Sequence, residues 1–204
     1  MASQGANYNY TKSLVVVHGK SEYDLVRYIY TNLHLNIKII AKDKGRESIQ
    51  INGLKTLFAK GSFLSLSKFS KEYGIEYDKK NKVLKDFKLF VIMDTDDCSQ
   101  ETKNKYISGE LFEFSVLKDY IIPIYNIENL EDVMIKAGIM TKRIPISQKG
   151  SFYSKVFPVN TEPKSLDTIN QVTGFYNKIK NLKETNLKVF VEYCYNKATG
   201  LELK

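Results

Sequence analysis

The feature that most constrains the fold is a short apolar run that stops abruptly in acid. Lys88-Leu-Phe-Val-Ile-Met93 is followed at once by Asp94-Thr95-Asp96-Asp97. So short and so uniformly apolar a run reads as a strand buried on both faces, the condition met in a parallel sheet covered by helices. In open α/β sheets ligands bind outside the carboxyl ends of the strands, and the acids fall at that end. Side chains two apart on a strand point the same way, so Asp94 and Asp96 form a pair. Adjacent carboxylates repel, and a hard cation such as Mg²⁺ relieves the repulsion. The competing reading is a helix cap, in which Asp96 or Asp97 caps a helix that begins near Ser99.

The remaining pattern alternates strands and helices. Ser13-Leu-Val-Val-Val-His18 reads as a buried strand ending at Gly19. Ser21 is the expected N-cap of a helix patterned by Tyr23, Val26, Ile29, Tyr30 and Leu33. A second strand over 36–41 completes the strand–helix–strand unit of a parallel sheet. After the charged turn 42–48 come a helix carrying Ile51, Leu54, Leu57 and Phe58, and a helical piece carrying Phe63, Leu66, Phe69 and Tyr73. The strongly charged segment 77–85 reads as a solvated loop. The pattern then predicts a helix over 100–117, a strand over 120–125, and a helix from Asn129 to Ala137 stopped by Gly138. Segment 141–163, with Pro145, Gly150, Pro158 and Pro163, reads as irregular. Helices over 165–182 and 187–197 close the sequence.

The second constellation is Val15-Val-Val-His-Gly-Lys-Ser-Glu22. A strand, a tight Gly turn and an acid at a helix start put Glu22 near the sheet's carboxyl edge. If this strand neighbours the 89–93 strand, Glu22 converges with Asp94 and Asp96. Three such carboxylates can hold one or two Mg²⁺ ions, which activate water and neutralise charge on a phosphate. Gly19-Lys20-Ser21 suggests a P-loop, but that motif needs a Gly five residues before Gly19, where Leu14 stands. A P-loop triphosphatase is therefore rejected. His18 is a ligand, a proton carrier or a structural strand-end residue.

Other candidates follow the other strands. Glu128 either joins the acidic site or marks a helix start, where acids favour the positive end of the dipole; the helix start is the preferred reading. Lys42, Lys44 and Arg46 follow the second strand and can reach a phosphate, or form a solvated turn. Lys142 and Arg143 are a candidate basic lip.

Composition bounds the partners. The formal charge of +8 favours polyanions, although the Lys-, Asn- and Ile-rich style of the whole chain makes Lys a default surface residue. No apolar stretch approaches the roughly 18 residues that span a membrane. The polar start Met1-Ala-Ser-Gln-Gly-Ala shows no signal-peptide pattern, which implies a cytoplasmic protein. Cys98 and Cys194 form no metal-type spacing and fit a reducing compartment.

Together these features resemble the Toprim domain of topoisomerases, bacterial primases, ribosomal-RNA maturation nucleases and phage-defence nucleases of the overcoming-lysogenization-defect type. The family pattern is a first strand ending in Glu-Gly, an acid shortly after that Gly, and a later strand ending in Asp-x-Asp. Asp94-Thr95-Asp96 matches the last, Gly19 the turn, and Glu22 the following acid. Ile127-Glu128-Asn129-Leu130 is similar to the post-strand segment of some defence-associated members. The resemblance covers residues 13–138, with a long insertion before the Asp-x-Asp strand. One departure stands out: the family's first-strand Glu is His18 here. A His can move a proton near neutral pH, but it adds no negative charge for Mg²⁺.

The resemblance implies an α/β fold, a Toprim-like parallel sheet with helices on both faces. Residues 13–140 would form it, and 141–204 would add an irregular segment and C-terminal helices packed on the same domain. It implies a Mg²⁺- or Mn²⁺-dependent phosphodiester hydrolase acting on DNA or RNA, with a place in phage defence. Glu22, Asp94 and Asp96 would bind metal and His18 would carry the proton. Lys20, Lys42 and Arg46 would hold phosphates, with Asp97 and Glu128 as further acids. The alternative is a catalytically impaired module that binds nucleic acid or protein within a larger complex, as a homo-oligomer or beside a partner protein. A third reading is a regulatory domain for a small phosphorylated ligand.

Overall fold

A computed structural model describes residues 10–145, 149–159 and 165–203. Four parallel strands form the sheet: β1 (Ser13–Val17), β2 (Ile37–Ile40), β5 (Lys88–Asp94) and β6 (Ile121–Asn126), in the order β2-β1-β5-β6. The helices are α1 (Lys20–Asn32), α2 (Ile51–Phe58), α3 (Leu66–Tyr73), α4 (Gln100–Ser108), α5 (Leu130–Lys136), α6 (Lys149–Val156), α7 (Leu166–Ile179) and α8 (Lys188–Thr199). A small hairpin pairs β3 (Tyr77–Asp78) with β4 (Val83–Leu84).

The apolar runs are explained by helices on both faces of the sheet. Val15 and Val17 of β1, with Phe90 and Ile92 of β5, face a core shared with α1, α5, α6, α7 and α8. Leu14, Val16, Leu89, Val91 and Met93 alternate with them and face a second core, shared with α2, α3, α4 and β4. The two central strands therefore have no solvated face. Each side chain buried this completely stabilises the fold by roughly 1.5–3 kcal/mol. Tyr106 of α4 ties the strands from the second side, its hydroxyl donating to the carbonyls of Val91 (2.6 Å) and Ile124 (2.9 Å).

The structure corrects several expectations. Segment 77–85 is the β3–β4 hairpin, with Asp78 accepting from the backbone N–H groups of Lys80 and Asn81 across its turn, and with Leu84 buried. The helix expected over 100–117 stops at Ser108, because Gly109 takes the left-handed conformation (φ +83°) and a 3₁₀ turn follows. The irregular segment contains α6; positions 146–148 and 160–164 lie outside the described residues. The N-cap of α1 is Gly19 rather than Ser21. Among the described residues no helix is long and apolar enough to cross a membrane.

Candidate functional site

Register places β1 and β5 side by side: Val17 lies opposite Ile92, and the His18 N–H donates to the Ile92 carbonyl at 2.9 Å. The two strands release their chains at the same edge, into one cleft of about 420 Å³. His18, Glu22, Asp94 and Asp96 all line it, as do Lys20 and Arg46. The candidates from the two constellations therefore line one cleft.

The β2–α2 loop closes one side. Its 3₁₀ turn carries three successive positive φ values, at Asp43, Lys44 and Gly45. Gly45 (φ +86°) presses on the β1–α1 turn so closely that a Cβ there would stand 2.8 Å from the Gly19 carbonyl oxygen. Only Gly fits both the conformation and the approach. The His18 carbonyl accepts from the Ile49 N–H at 2.8 Å, which pins the loop's far end. Arg46 is thereby delivered to the cleft, with a loose ion pair to Asp43 at 3.7 Å.

The acids divide into two kinds. Glu22 is 1% exposed, and its Oε2 accepts from the Gly19 N–H at 3.0 Å. This is the return bond of a helix N-terminus, in which a third-position acid satisfies an orphan donor. Asp94 is 8% exposed; its Oδ1 accepts from Asn126 Nδ2 (2.9 Å) and from the Leu130 N–H (3.1 Å), tying β5 to β6 and to the start of α5. Asn126 Oδ1 in turn accepts from Thr185 Oγ1 at 3.0 Å. Burial pushes the Asp94 carboxyl up to about 6; the Asn126 bond and His18 oppose that rise, and the Asp96 charge adds to it. Asp96, by contrast, is exposed and sits on a turn fixed by the Thr95 N–H, which donates to the carbonyls of Asn126 (3.1 Å) and Glu128 (3.0 Å).

Lys42, Lys44, Asp97, Glu128 and Lys142 are not among the residues that line the cleft. Lys42 faces a separate groove beside β2. Among the described residues Asp97 has no hydrogen-bond partner for either buried carboxylate oxygen, and burial pushes its carboxyl up. Glu128 takes a positive φ (+63°), and its exposed side chain is not among the cleft's lining while its carbonyl serves the Thr95 turn. The helix starts at Leu130, with Asn129 Oδ1 as cap on the Asp132 N–H. Asp96 and Asp97 do not cap α4 either: Ser99 does, through its bond from the Thr102 N–H.

The structure adds Arg143 and Glu131 to the cleft wall. Arg143 makes a two-pronged pair with Asp132, Nε to Oδ1 at 2.9 Å and Nη2 to Oδ2 at 2.5 Å. Glu131 accepts from the Tyr153 hydroxyl at 3.2 Å, linking α5 to α6. Arg143 is half of the basic lip expected from the sequence, and Lys142, the other half, does not line the cleft; nothing local distinguishes Glu131 from an ordinary first-turn acid. The cleft thus has an acidic floor (Glu22, Asp94) and a rim with Asp96, Lys20, Arg46 and Arg143.

Among the described residues no group of three or more His, Cys, Asp or Glu side chains is arranged to hold a metal ion. Mg²⁺ takes one or two carboxylates directly and fills its shell with water and substrate phosphate. Asp94, through the oxygen not engaged by Asn126 and Leu130, and Asp96 are the residues that would hold it; Glu22 is held by its helix cap. No family model, no curated protein and no solved structure matches the chain.

Proposed function

We propose that this chain is a Toprim-like, Mg²⁺- or Mn²⁺-dependent nuclease that hydrolyses phosphodiesters of DNA or RNA at the β1–β5 cleft. One observation carries the reading: Asp94 and Asp96, at the carboxyl end of β5, share a single cleft with His18 and Glu22 from the adjoining β1–α1 turn and with the cations Lys20, Arg46 and Arg143. Asp94 and Asp96 would hold the metal, which when bound neutralises phosphate charge and lowers the pKa of water. Arg46 and Lys20 position the phosphate; Arg46, being exposed and only loosely paired, is free to make two-pronged contacts. His18 carries the proton. Among the described residues its buried Nδ1 has no hydrogen-bond partner, and Nε2 is the nitrogen that would exchange protons with substrate or water.

The test is cleavage of labelled single- and double-stranded DNA and RNA with Mg²⁺ or Mn²⁺, in wild type and Asp94→Asn. Asn at position 94 keeps an oxygen for Asn126 and Leu130, so the fold survives while the charge is lost. Cleavage should be metal-dependent and abolished in the variant; undiminished cleavage in Asp94→Asn would sink the assignment.

A second reading is favoured by His18 standing where the resembled family has Glu, and by the lack of a three-acid cluster among the described residues. In that reading the cleft retains nucleic acid without cutting it. Binding that is indifferent to metal, without cleavage, is its signature.

A further inference from the structure

The two edges of the sheet are finished differently. At β6 the edge is closed. Pro123 has no N–H, Asn186 Oδ1 accepts from the Tyr125 N–H (2.8 Å), and Asn186 Nδ2 donates to the Pro123 carbonyl (2.9 Å). The Ile127 N–H is taken by the Glu184 carbonyl at 2.7 Å, and Asn126 bridges to Thr185. At β2 the edge is open. β2 is the last strand and pairs with β1 alone, and among the described residues no backbone bond beyond that ladder involves positions 37–41. An open apolar edge invites pairing, and proteins commonly guard one with an outward lysine or proline. Here the sole lysine of β2, Lys38, is tied back to the Tyr73 carbonyl at 2.8 Å.

Beside this edge runs a groove of about 470 Å³ between β2 and α2, floored by Ile40, Ile49 and Leu57. Gly53 leaves a gap in its α2 wall: among the described residues a Cβ there would meet no atom within 4 Å. The charged residues lining the groove, Lys42 and Lys60, are both cations. Lys42 is the residue the phosphate-site reading left unused.

We infer that the β2 edge and this groove dock an extended, acidic segment of a partner protein as an added strand. Main-chain bonds to β2 supply the pairing, alternate apolar side chains fill the groove, and acids at the segment's ends meet Lys42 and Lys60. Charge selects this occupant over a second copy of the chain. A copy would offer Ile37-Lys38-Ile39-Ile40, which carries a lysine and no acid. The inference does not rest on the nuclease reading, since the groove and the cleft share no lining residue.

The experiment is fluorescence anisotropy of the full chain with two labelled octapeptides, Glu-Asp-Val-Thr-Ile-Thr-Asp-Glu and the same sequence with Lys at the four acidic positions. The acidic peptide should bind and the basic one should not. Gly53→Arg fills the groove, favours the helix and adds positive charge. Diffuse attraction of an acidic peptide to a basic protein would rise in that variant, whereas groove docking falls at least about tenfold. Lys42→Glu with Lys60→Glu should transfer the preference to the basic peptide. The inference is overturned if the acidic peptide fails to bind, or if its binding survives Gly53→Arg. Sedimentation that shows a wild-type dimer dissociated by Gly53→Arg would also overturn it, assigning the edge to a second copy.

Discussion

Asp94 and Asp96 leave the same strand end two residues apart, line the same cleft, and do different work. Asp94, on the floor, is buried and holds β5 to β6 and α5 through Asn126 and Leu130. Asp96, on the rim, is exposed, and its backbone position is set for it by the Thr95 turn. Glu22 belongs with Asp94, since its carboxylate closes the N-terminus of α1, and Arg46 belongs with Asp96. The lesson is that an acid pair at a strand end need not be two equal ligands. The protein's own donors take one oxygen of the inner acid, so a metal there depends on the rim, on water and on the substrate phosphate to complete its shell.

Substitutions can break this division. The largest effect is expected for Asp94→Ala, which strands the Asn126 amide and the Leu130 N–H in a buried site; the loss should be about 3 kcal/mol by urea unfolding. Asp96→Ala should change stability by less than about 0.5 kcal/mol while still removing cleavage. Equal stability losses at the two positions would erase the distinction between floor and rim.

A milder perturbation is pH. With its carboxyl raised from 3.8 to about 6 in the folded, metal-free protein, Asp94 holds a proton through a window in which the unfolded chain has lost it. The unfolded state then binds fewer protons, so the contribution of Asp94 to stability falls as pH rises from about 4 through about 6 and levels off above that. In the presence of a chelator, Asp94→Asn should flatten that slope in urea midpoints; an unchanged slope would assign it to other groups.

Smaller still is the helix cap. Glu22→Ala should cost about 1 kcal/mol and Glu22→Gln much less, because Gln keeps an oxygen for the Gly19 N–H. Thermal melts of the two variants distinguish a capping acid from a mere charge. At the rim, Arg46→Ala should leave the melting temperature unchanged and weaken nucleic-acid binding, lowering the slope of log K against log salt by about one. An unaltered slope would remove Arg46 from the phosphate contacts.

Much of this division lay beyond local sequence. The central strands were legible because Leu14–Val17 and Leu89–Met93 are apolar at every position, a pattern that demands cover on both faces. The meeting of His18, Glu22, Asp94 and Asp96 followed from placing β1 beside β5. What sequence pattern hid was set by tertiary contact or by backbone conformation. Ser21 has the better capping side chain, yet Glu22 bonding back to Gly19 starts the helix earlier. The two-residue strands β3 and β4 are masked by the charged turn between them, and Leu84 alone marks the buried face. Tyr153 and Phe157, four apart and buried, anchor α6 in a stretch that its prolines and glycine made look irregular. Lys42 follows β2 as Arg46 does, but the reversal at Asp43, Lys44 and Gly45 sends the two side chains to different grooves.

The most direct measurement is calorimetry of Mn²⁺ binding to wild type and Asp94→Asn, each with and without a phosphorothioate oligonucleotide that resists cleavage. A floor acid already engaged by the protein and a rim acid open to solvent predict weak binding by the wild type alone. The oligonucleotide should tighten it at least about tenfold, and Asp94→Asn should bind no metal under either condition. Oligonucleotide binding by the wild type with no Mn²⁺ uptake would contradict the nuclease reading and leave the cleft as a binding surface.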